Sequence, residues 1–157
     1  MTNFFFNLYS PKRFVNALLQ GKCRNAASEL GRFAVDVTVG LGGLFDPAER
    51  YLGLKPSEED LGQTLGRYSI GNGFYIVLPI LGPSTLRDSI GEAGDLFLNP
   101  LYYLRPSGLS WGLTGLDKVN GVSSHIGDYE TVKATYMDPY VMIRDFYVTH
   151  RNKMIAE

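Results

Sequence analysis

Cysteine, histidine and tryptophan are scarce in these 157 residues, with one, two and one copies, and each scarcity removes a class of function. Cys23 alone cannot form an intramolecular disulfide or a multi-cysteine metal cluster. Flanked by Lys22, Arg24 and Asn25 at a helix start, it reads as a tolerated lone thiol. His125 and His150 lie far apart, and neither sits in an H-E-x-x-H arrangement that would put two imidazoles on one helix face. His125 with Asp128 reads as a surface turn rather than a metal site. Neither sign of charge prevails, with 15 Lys+Arg against 16 Asp+Glu and a net charge of -1, so there is no basic footprint for nucleic acid and no acidic tail. No apolar window reaches the ~18–20 residues of an ordinary bilayer-crossing helix. Met1, Thr2, Asn3 and Phe4 carry no basic leader or small-residue cleavage site. The chain opens on the apolar triplet Phe4 to Phe6, in the manner of an element's interior, and is expected to lack its natural beginning.

Signatures of catalysis are missing too. Gly82, Pro83, Ser84, Thr85 and Leu86 lack the second glycine of a G-x-S-x-G nucleophile elbow, so Ser84 reads as a helix cap. Gly71 and Gly73 bracket Asn72 without the rest of a dinucleotide fingerprint, and read as a turn or hinge. The expectation is a protein that is not an enzyme and holds no cofactor or metal.

What the chain does have is 45% apolar residues, enough for the core of one domain, arranged mostly at helical spacing. Asn3 to Leu8 reads as helix, broken before Pro11. Pro11 then opens a second helix with Phe14, Leu18 and Leu19 on its apolar face and Gly21 at its end. From Cys23 to Thr38, Ala26, Leu30, Phe33 and Val37 mark a third amphipathic helix, followed by the flexible Gly40, Leu41, Gly42, Gly43. Asp46 and Pro47 start a short helix closed by Gly53. Ser57 with Asp60 makes a capping-box-like start for a helix to about Gly66.

The stretch from Leu61 to Gly91 organises the rest. Phe74 to Leu78 is aromatic and β-branched, which favours an extended segment, and Pro79 forbids a central strand position. Two readings of Phe74 to Leu81 stand: a buried core segment, or a wall exposed to lipid or acyl chains and flanked by glycines that let it move. A helix capped by Ser84 or Thr85 follows, with Leu86, Ile90, Ala93 and Phe97 on one face and a stop at Asn99 and Pro100. Arg87 and Asp88, being adjacent, should point to different sides and find separate partners; for Arg87 that is an acid elsewhere or a lipid phosphate. Further helices are expected at Trp111 to Val122 and Asp128 to Met137. The last begins at Asp138 and Pro139, with Tyr140, Ile143, Tyr147 and Met154 in one stripe and Arg144, Asp145, Arg151, Asn152 and Lys153 facing elsewhere. The fold class expected is all-α: several short amphipathic helices in one domain over residues 1–157, with one glycine-flanked apolar hairpin or loop.

Seven strings in order carry a family resemblance: NFFFNLYSP at Asn3 to Pro11, NALLQGK at Asn16 to Lys22, RF at Arg32 and Phe33, GLGGLFDPA at Gly40 to Ala48, EDLGQTLGRY at Glu59 to Tyr68, YIVLPILGPSTLRDSIG at Tyr75 to Gly91, and DPYVMIRDFY at Asp138 to Tyr147. Together they resemble the MlaA (VacJ) family of Gram-negative outer-membrane lipoproteins. The resemblance implies a helical, ring-like array on the periplasmic face of the outer membrane with a central amphipathic channel. It implies association with trimeric porins, and transfer of mislocalised phospholipid from the outer leaflet to a periplasmic lipid-binding carrier, without covalent chemistry. By position, Tyr68, Gly71, Gly73 and Tyr75 match the family's mobile hairpin, and Pro79, Gly82, Pro83, Arg87 and Asp88 its strongest string. The hinge would be Ser69, Gly71 and Gly73. The lipid channel would be bordered by Tyr68, Phe74, Tyr75, Val77, Leu78, Pro79 and Arg87.

This chain departs from the family pattern at Ser69, where glycine is common, at Phe74, where proline is common, and at Asp36 and Val37, where asparagine and threonine are usual. Serine restricts a backbone that glycine leaves open. A different class of function is a non-transporting helical scaffold that docks on a porin. A lipid hydrolase would need Ser84 as its nucleophile.

Overall fold

Local signals place most of the helix ends. In the computed structural model, which describes residues 2–79, 82–103, 108, 112, 115, 116 and 138–157, helix α1 (Thr2–Leu8) gives way at Tyr9 to α2 (Ser10–Leu19), with Pro11 in its first turn, where a missing N–H is tolerated. Gly21, at φ +74°, turns the chain out of α2 into α3 (Cys23–Thr38). Helix α4 (Pro47–Leu52) starts on Asp46, whose carboxylate accepts the Glu49 N–H at 2.9 Å, and ends on left-handed Gly53. Asp60 caps α5 (Leu61–Arg67) through the Gln63 N–H at 2.8 Å. Thr85 caps α6 (Leu86–Asp95), and Asp138 caps α7 (Pro139–Ala156). Two 3₁₀ turns, Leu96–Leu98 and Pro100–Tyr103, follow α6.

Two expectations meet a different outcome here, and a third goes largely untested. The helix expected from Ser57 starts only at Leu61, because the Ser57 N–H and hydroxyl both donate to Glu29 Oε1, at 2.8 and 3.2 Å. A buried carboxylate needs donors more than a helix needs an extra turn. The helix expected to run to Phe97 tightens into a 3₁₀ turn after Asp95. Most of the helices expected at Trp111 to Val122 and Asp128 to Met137 lies outside the described residues, as do His125 and Asp128; Gly112, Gly115 and Leu116 are helical.

Packing corrects the expected orientation of α2, α3 and α6. In α2 the buried residues are Ser10, Arg13, Asn16 and Ala17, while Leu18 and Leu19 are exposed. In α3, Ala26, Glu29, Arg32 and Asp36 are buried, while Leu30, Phe33 and Val37 face outward. In α6, Arg87, Asp88, Gly91 and Asp95 are buried, while Leu86, Ile90 and Phe97 beyond it are exposed. Periodicity separated the large apolar residues from the charged ones, though it grouped the buried Ala26 with Leu30, Phe33 and Val37, and it does not say which face is inside. Among the described residues, the fully buried apolar side chains are only Phe5, Ala17, Ala26, Ala48 and Leu101, and polar and charged residues outnumber them. A buried polar group or a large exposed apolar surface is the informative departure in a protein, and this chain shows both.

Such an interior holds only if its groups satisfy one another. Arg13 lies over the Phe6 ring at 3.7 Å and donates to Glu29 at 3.0 Å. Arg32 pairs with Asp46 at 2.6 Å and also donates to the Leu54 carbonyl. Helices α5 and α6 cross where Gly62 meets Gly91, and a methyl group on Gly91 would overlap the Gly62 backbone. Glycine there is a packing requirement.

The one described sheet is a hairpin of β1 (Tyr75–Leu78) and β2 (Gly82–Thr85), antiparallel with Tyr75 opposite Thr85 and Leu78 opposite Gly82. Pro79 falls after the paired residues, where its missing donor costs no ladder bond. The Phe74 and Asn72 carbonyls accept from Leu86 and Arg87 N–H at 3.0 and 3.2 Å, tying the hairpin's base to α6.

Candidate functional site

Helices α2, α5, α6 and α7 converge behind the hairpin on a polar cavity of about 200 Å³, lined by Lys12, Asp60, Pro83, Ser84, Asp88, Glu92, Asp95, Tyr147 and Arg151. Strand β2 supplies Pro83 and Ser84, so the hairpin forms part of its wall. Arg151, expected to face away from the packed stripe of α7, points inward. Its Nη1 and Nη2 donate to Asp60 at 2.7 and 2.9 Å, and its Nε and Nη2 to Asp88 at 3.1 and 3.0 Å. One guanidinium thus clasps the cap of α5 to the first turn of α6. Tyr147, one turn earlier, donates its hydroxyl to Asp88 Oδ2 at 2.9 Å.

Arg87 and Asp88 do pair with each other, against expectation: Arg87 Nε and Nη2 lie 3.0 and 2.9 Å from Asp88 Oδ1. The rule that adjacent helix positions diverge holds for Cβ directions. A long arginine in a helix's first turn can curl back over its neighbour. Arg87 is buried and does not line the cavity. Lys12, paired with Asp95 at 3.4 Å, and Arg151 are the cations that do.

Electrostatics follow from this wiring. Burial alone would raise Asp60 and Asp88, but the hydrogen bonds and charge of Arg151, joined at Asp88 by Arg87 and Tyr147, hold both below the ordinary carboxylate value. Burial, with the negative charge of Asp88, pushes the Tyr147 phenol up to about 12. For Arg151, burial opposes its charge, and the two carboxylates overcome that opposition and raise it. Asp95 is raised by burial that Lys12, Leu61 N–H and Asn16 only partly offset. No three His, Cys, Asp or Glu side chains among the described residues are arranged to hold a metal. Ser84 shares a 3.0 Å hydrogen bond with Ser89, and no histidine lines the cavity.

The hairpin's other side is apolar and open. Phe74 and Val77 are 62% and 58% exposed, Pro79 is exposed, and Leu78 is partly covered. Tyr75 sets its ring edge against Tyr140 at 5.5 Å and Tyr147 at 6.3 Å, joining the hairpin to the helix that carries the clasp. Tyr68 is exposed and donates its hydroxyl to the Leu19 carbonyl at 2.9 Å. Left-handed backbone falls at Ser69 (φ +65°) and Gly73 (φ +67°), and Gly71 is not among the positive-φ residues. Position 71 is exposed, with open space where a Cβ would stand. Lys12, Asp60, Asp95, Tyr147 and Arg151 were not singled out for the site from sequence. Arg151 had a signal: it follows Tyr147 by four and precedes Met154 by three, within the stripe expected to pack.

Across the surface the apolar side chains continue. Leu41, 70% exposed, with Val39, Leu44 and Phe45 forms an apolar loop, and Leu30 of α3 is 57% exposed. No helix among the described residues is long and apolar enough to cross a membrane.

Comparison with known proteins places this arrangement. An uncharacterised protein of Rickettsia typhi is 33% identical over 98% of this chain and 60% of its own length. The intermembrane phospholipid transport system lipoprotein MlaA of Escherichia coli is 32% identical over 99% of this chain and 62% of its own, and that of Haemophilus influenzae 31% over 90% and 57%. The chain therefore spans about three-fifths of the length of these relatives. A solved structure from work on the structural basis for maintenance of bacterial outer membrane lipid asymmetry superposes with a TM-score of 0.78, at 31% identity, over 98% of this chain and 77% of that one. The family model described as MlaA lipoprotein matches residues 1–154, and the chain belongs to the MlaA family.

Proposed function

We propose that this chain is a phospholipid-transport component, which takes mislocalised phospholipids from the outer leaflet of the outer membrane and passes them to a periplasmic lipid-binding carrier. The observation that carries this reading is the reversed distribution of polarity: ion pairs inside, aliphatic and aromatic side chains outside. Charged groups within a lipid environment face the protein interior and pair, and exposed apolar surface of this extent calls for a lipid or protein cover. The relatives named as phospholipid-transport lipoproteins support it.

In this proposal the polar cavity takes the head group, and the open face of the hairpin, with Phe74, Tyr75, Val77, Leu78 and Pro79 beside Tyr68, guides acyl chains. Ser69, Gly71 and Gly73 let the hairpin shift. Arg87 acts from behind, by holding Asp88. The chain lies at the periplasmic face of the outer membrane beside a trimeric porin, and works without covalent chemistry. A photo-crosslinker at Phe74 or Val77 in the full-length protein is expected to capture phospholipid. Absence of lipid adducts at both positions, with the same probe reactive elsewhere in the protein, would overturn the reading.

A further inference from the structure

The interior pairs its cations: Arg13 with Glu29, Arg32 with Asp46, Arg87 with Asp88, Arg151 with Asp60 and Asp88. Arg24 and Lys55 break that pattern. Both are exposed, neither has a hydrogen-bond or ion-pair partner among the described residues, and both border the same cavity of about 500 Å³. No carboxylate lines it, and Asn25 and Ser28 add neutral polar groups. An adjoining cavity shares Asn25, Ser28 and Lys55 and contains Glu58 and Glu59. Lys22 neutralises Glu59 at 3.1 Å, and Lys153 and Glu157, which also line that cavity, pair at 3.9 Å, which leaves Glu58 to offset one of two free cations.

The wall of the cavity also has an apolar side. Leu54 lines it, and Tyr51 and Leu52, at the end of α4 just before it, are 75% and 57% exposed. A guanidinium fork and an ammonium beside exposed apolar side chains match a phosphate that is attached to acyl chains. We propose that this cavity binds the phosphate of an anionic membrane lipid, at a site separate from the cavity behind the hairpin. The site holds the protein against head groups and does not conduct. It rests on the reading that lipid surrounds the outward apolar side chains.

The test is native mass spectrometry of the full chain in detergent micelles, with added phosphatidylglycerol or phosphatidylcholine. The wild type is expected to favour phosphatidylglycerol adducts. The pair Arg24→Gln and Lys55→Gln should reduce that preference by roughly twenty-five-fold, about fivefold per cation near an anionic lipid, and leave phosphatidylcholine adducts unchanged. Arg50→Gln with Arg144→Gln, the same charge change away from both cavities, should keep the preference. The proposal falls if the first pair retains it, if the control pair loses it equally, or if inorganic phosphate competes as well as the lipid does, since the site would then be one for free phosphate. Loss of phosphatidylcholine adducts from the wild type would instead overturn the lipid-surrounded reading beneath it.

Discussion

The Arg151 clasp and the hairpin share a wall and are built on opposite terms. In the clasp, each Asp60 and Asp88 oxygen accepts charge-assisted bonds, and these join α5, α6 and α7. In the hairpin, four residue pairs, two aromatic edge contacts and the left-handed residues Ser69, Gly73 and Gly82 hold a segment whose apolar side is bare. Close packing is therefore concentrated where the chemistry is ionic, and exposure where it is apolar. That is the reverse of a water-soluble domain, in which apolar packing is the rigid part and charge the adaptable one.

The sharpest way to break the contrast is Asp88→Ala. It leaves Arg87 and Arg151 buried without a shared carboxylate, and removal of one partner from a buried pair costs about 3–5 kcal/mol. Denaturant unfolding in detergent should show that loss; a change below about 1 kcal/mol would mean the clasp is not structural. Gly91→Ala comes next, at about 1–3 kcal/mol for overpacking at the α5–α6 crossing, read as a fall in melting temperature.

Acid tests the same network. The folded-state values of Asp60 and Asp88 lie below 3.8, so the unfolded chain binds these protons more tightly. Their stabilisation is complete above the ordinary value and is lost as pH falls through the lower, folded-state values. Asp36 and Asp95 are raised by burial and have the opposite sign: they oppose folding at neutral pH, and that opposition relaxes as pH drops through their raised values. Unfolding midpoints should therefore hold or rise slightly on mild acidification and fall steeply below pH 3.8. Asp88→Asn should flatten the steep part.

On the outward side the expected effects shrink. Leu30→Ala should cost less than about 0.5 kcal/mol, as a surface substitution does, where a core leucine would cost about 2–5 kcal/mol; a core-sized loss in detergent would contradict the reversed orientation of α3. The smallest change is expected at Ser69→Gly. It removes about 1 kcal/mol of left-handed strain, the low end for an exposed turn residue, and gives up about 0.4–1 kcal/mol through unfolded-chain entropy, so stability should barely move. Amide hydrogen exchange at residues 69–74 should nevertheless quicken, which sets backbone freedom apart from stability in the hairpin.

Much of the fold was legible in sequence because its signals are local. Asp46 with Pro47, Gly53 and Asp138 with Pro139 act within one helical turn, and each sits where its chemistry placed it, while of the two caps open to α6 it is Thr85 and not Ser84 that serves. The hairpin's first strand was readable from the aromatic and β-branched run before Pro79, whereas its second takes in Ser84, which had read as a helix cap. What was not legible depends on surroundings the chain does not encode. The 3.6-residue pattern in α3 separates Leu30, Phe33 and Val37 from Glu29, Arg32 and Asp36, but only the medium decides which set turns inward. The site suffered most from this. A charged residue such as Arg151 was assigned to the outside by a rule that holds in water, and Ser57 was assigned to a helix because its distant acceptor, Glu29, cannot be seen from residues nearby.

The outward side chains bear on how such a chain comes to be folded at all. An interior of ion pairs supplies little drive to collapse in water, since separated charges are already well hydrated there. Leu41, Phe45 and Phe74 would meet copies of themselves sooner than they would meet the protein's own centre. On the proposed lipid-surrounded reading, the native arrangement in water is thus also the aggregation-prone one, and productive folding is expected to need a surface that covers these residues. A refolding yield that rises with added micelles, and falls with protein concentration when they are absent, is the signature this architecture requires.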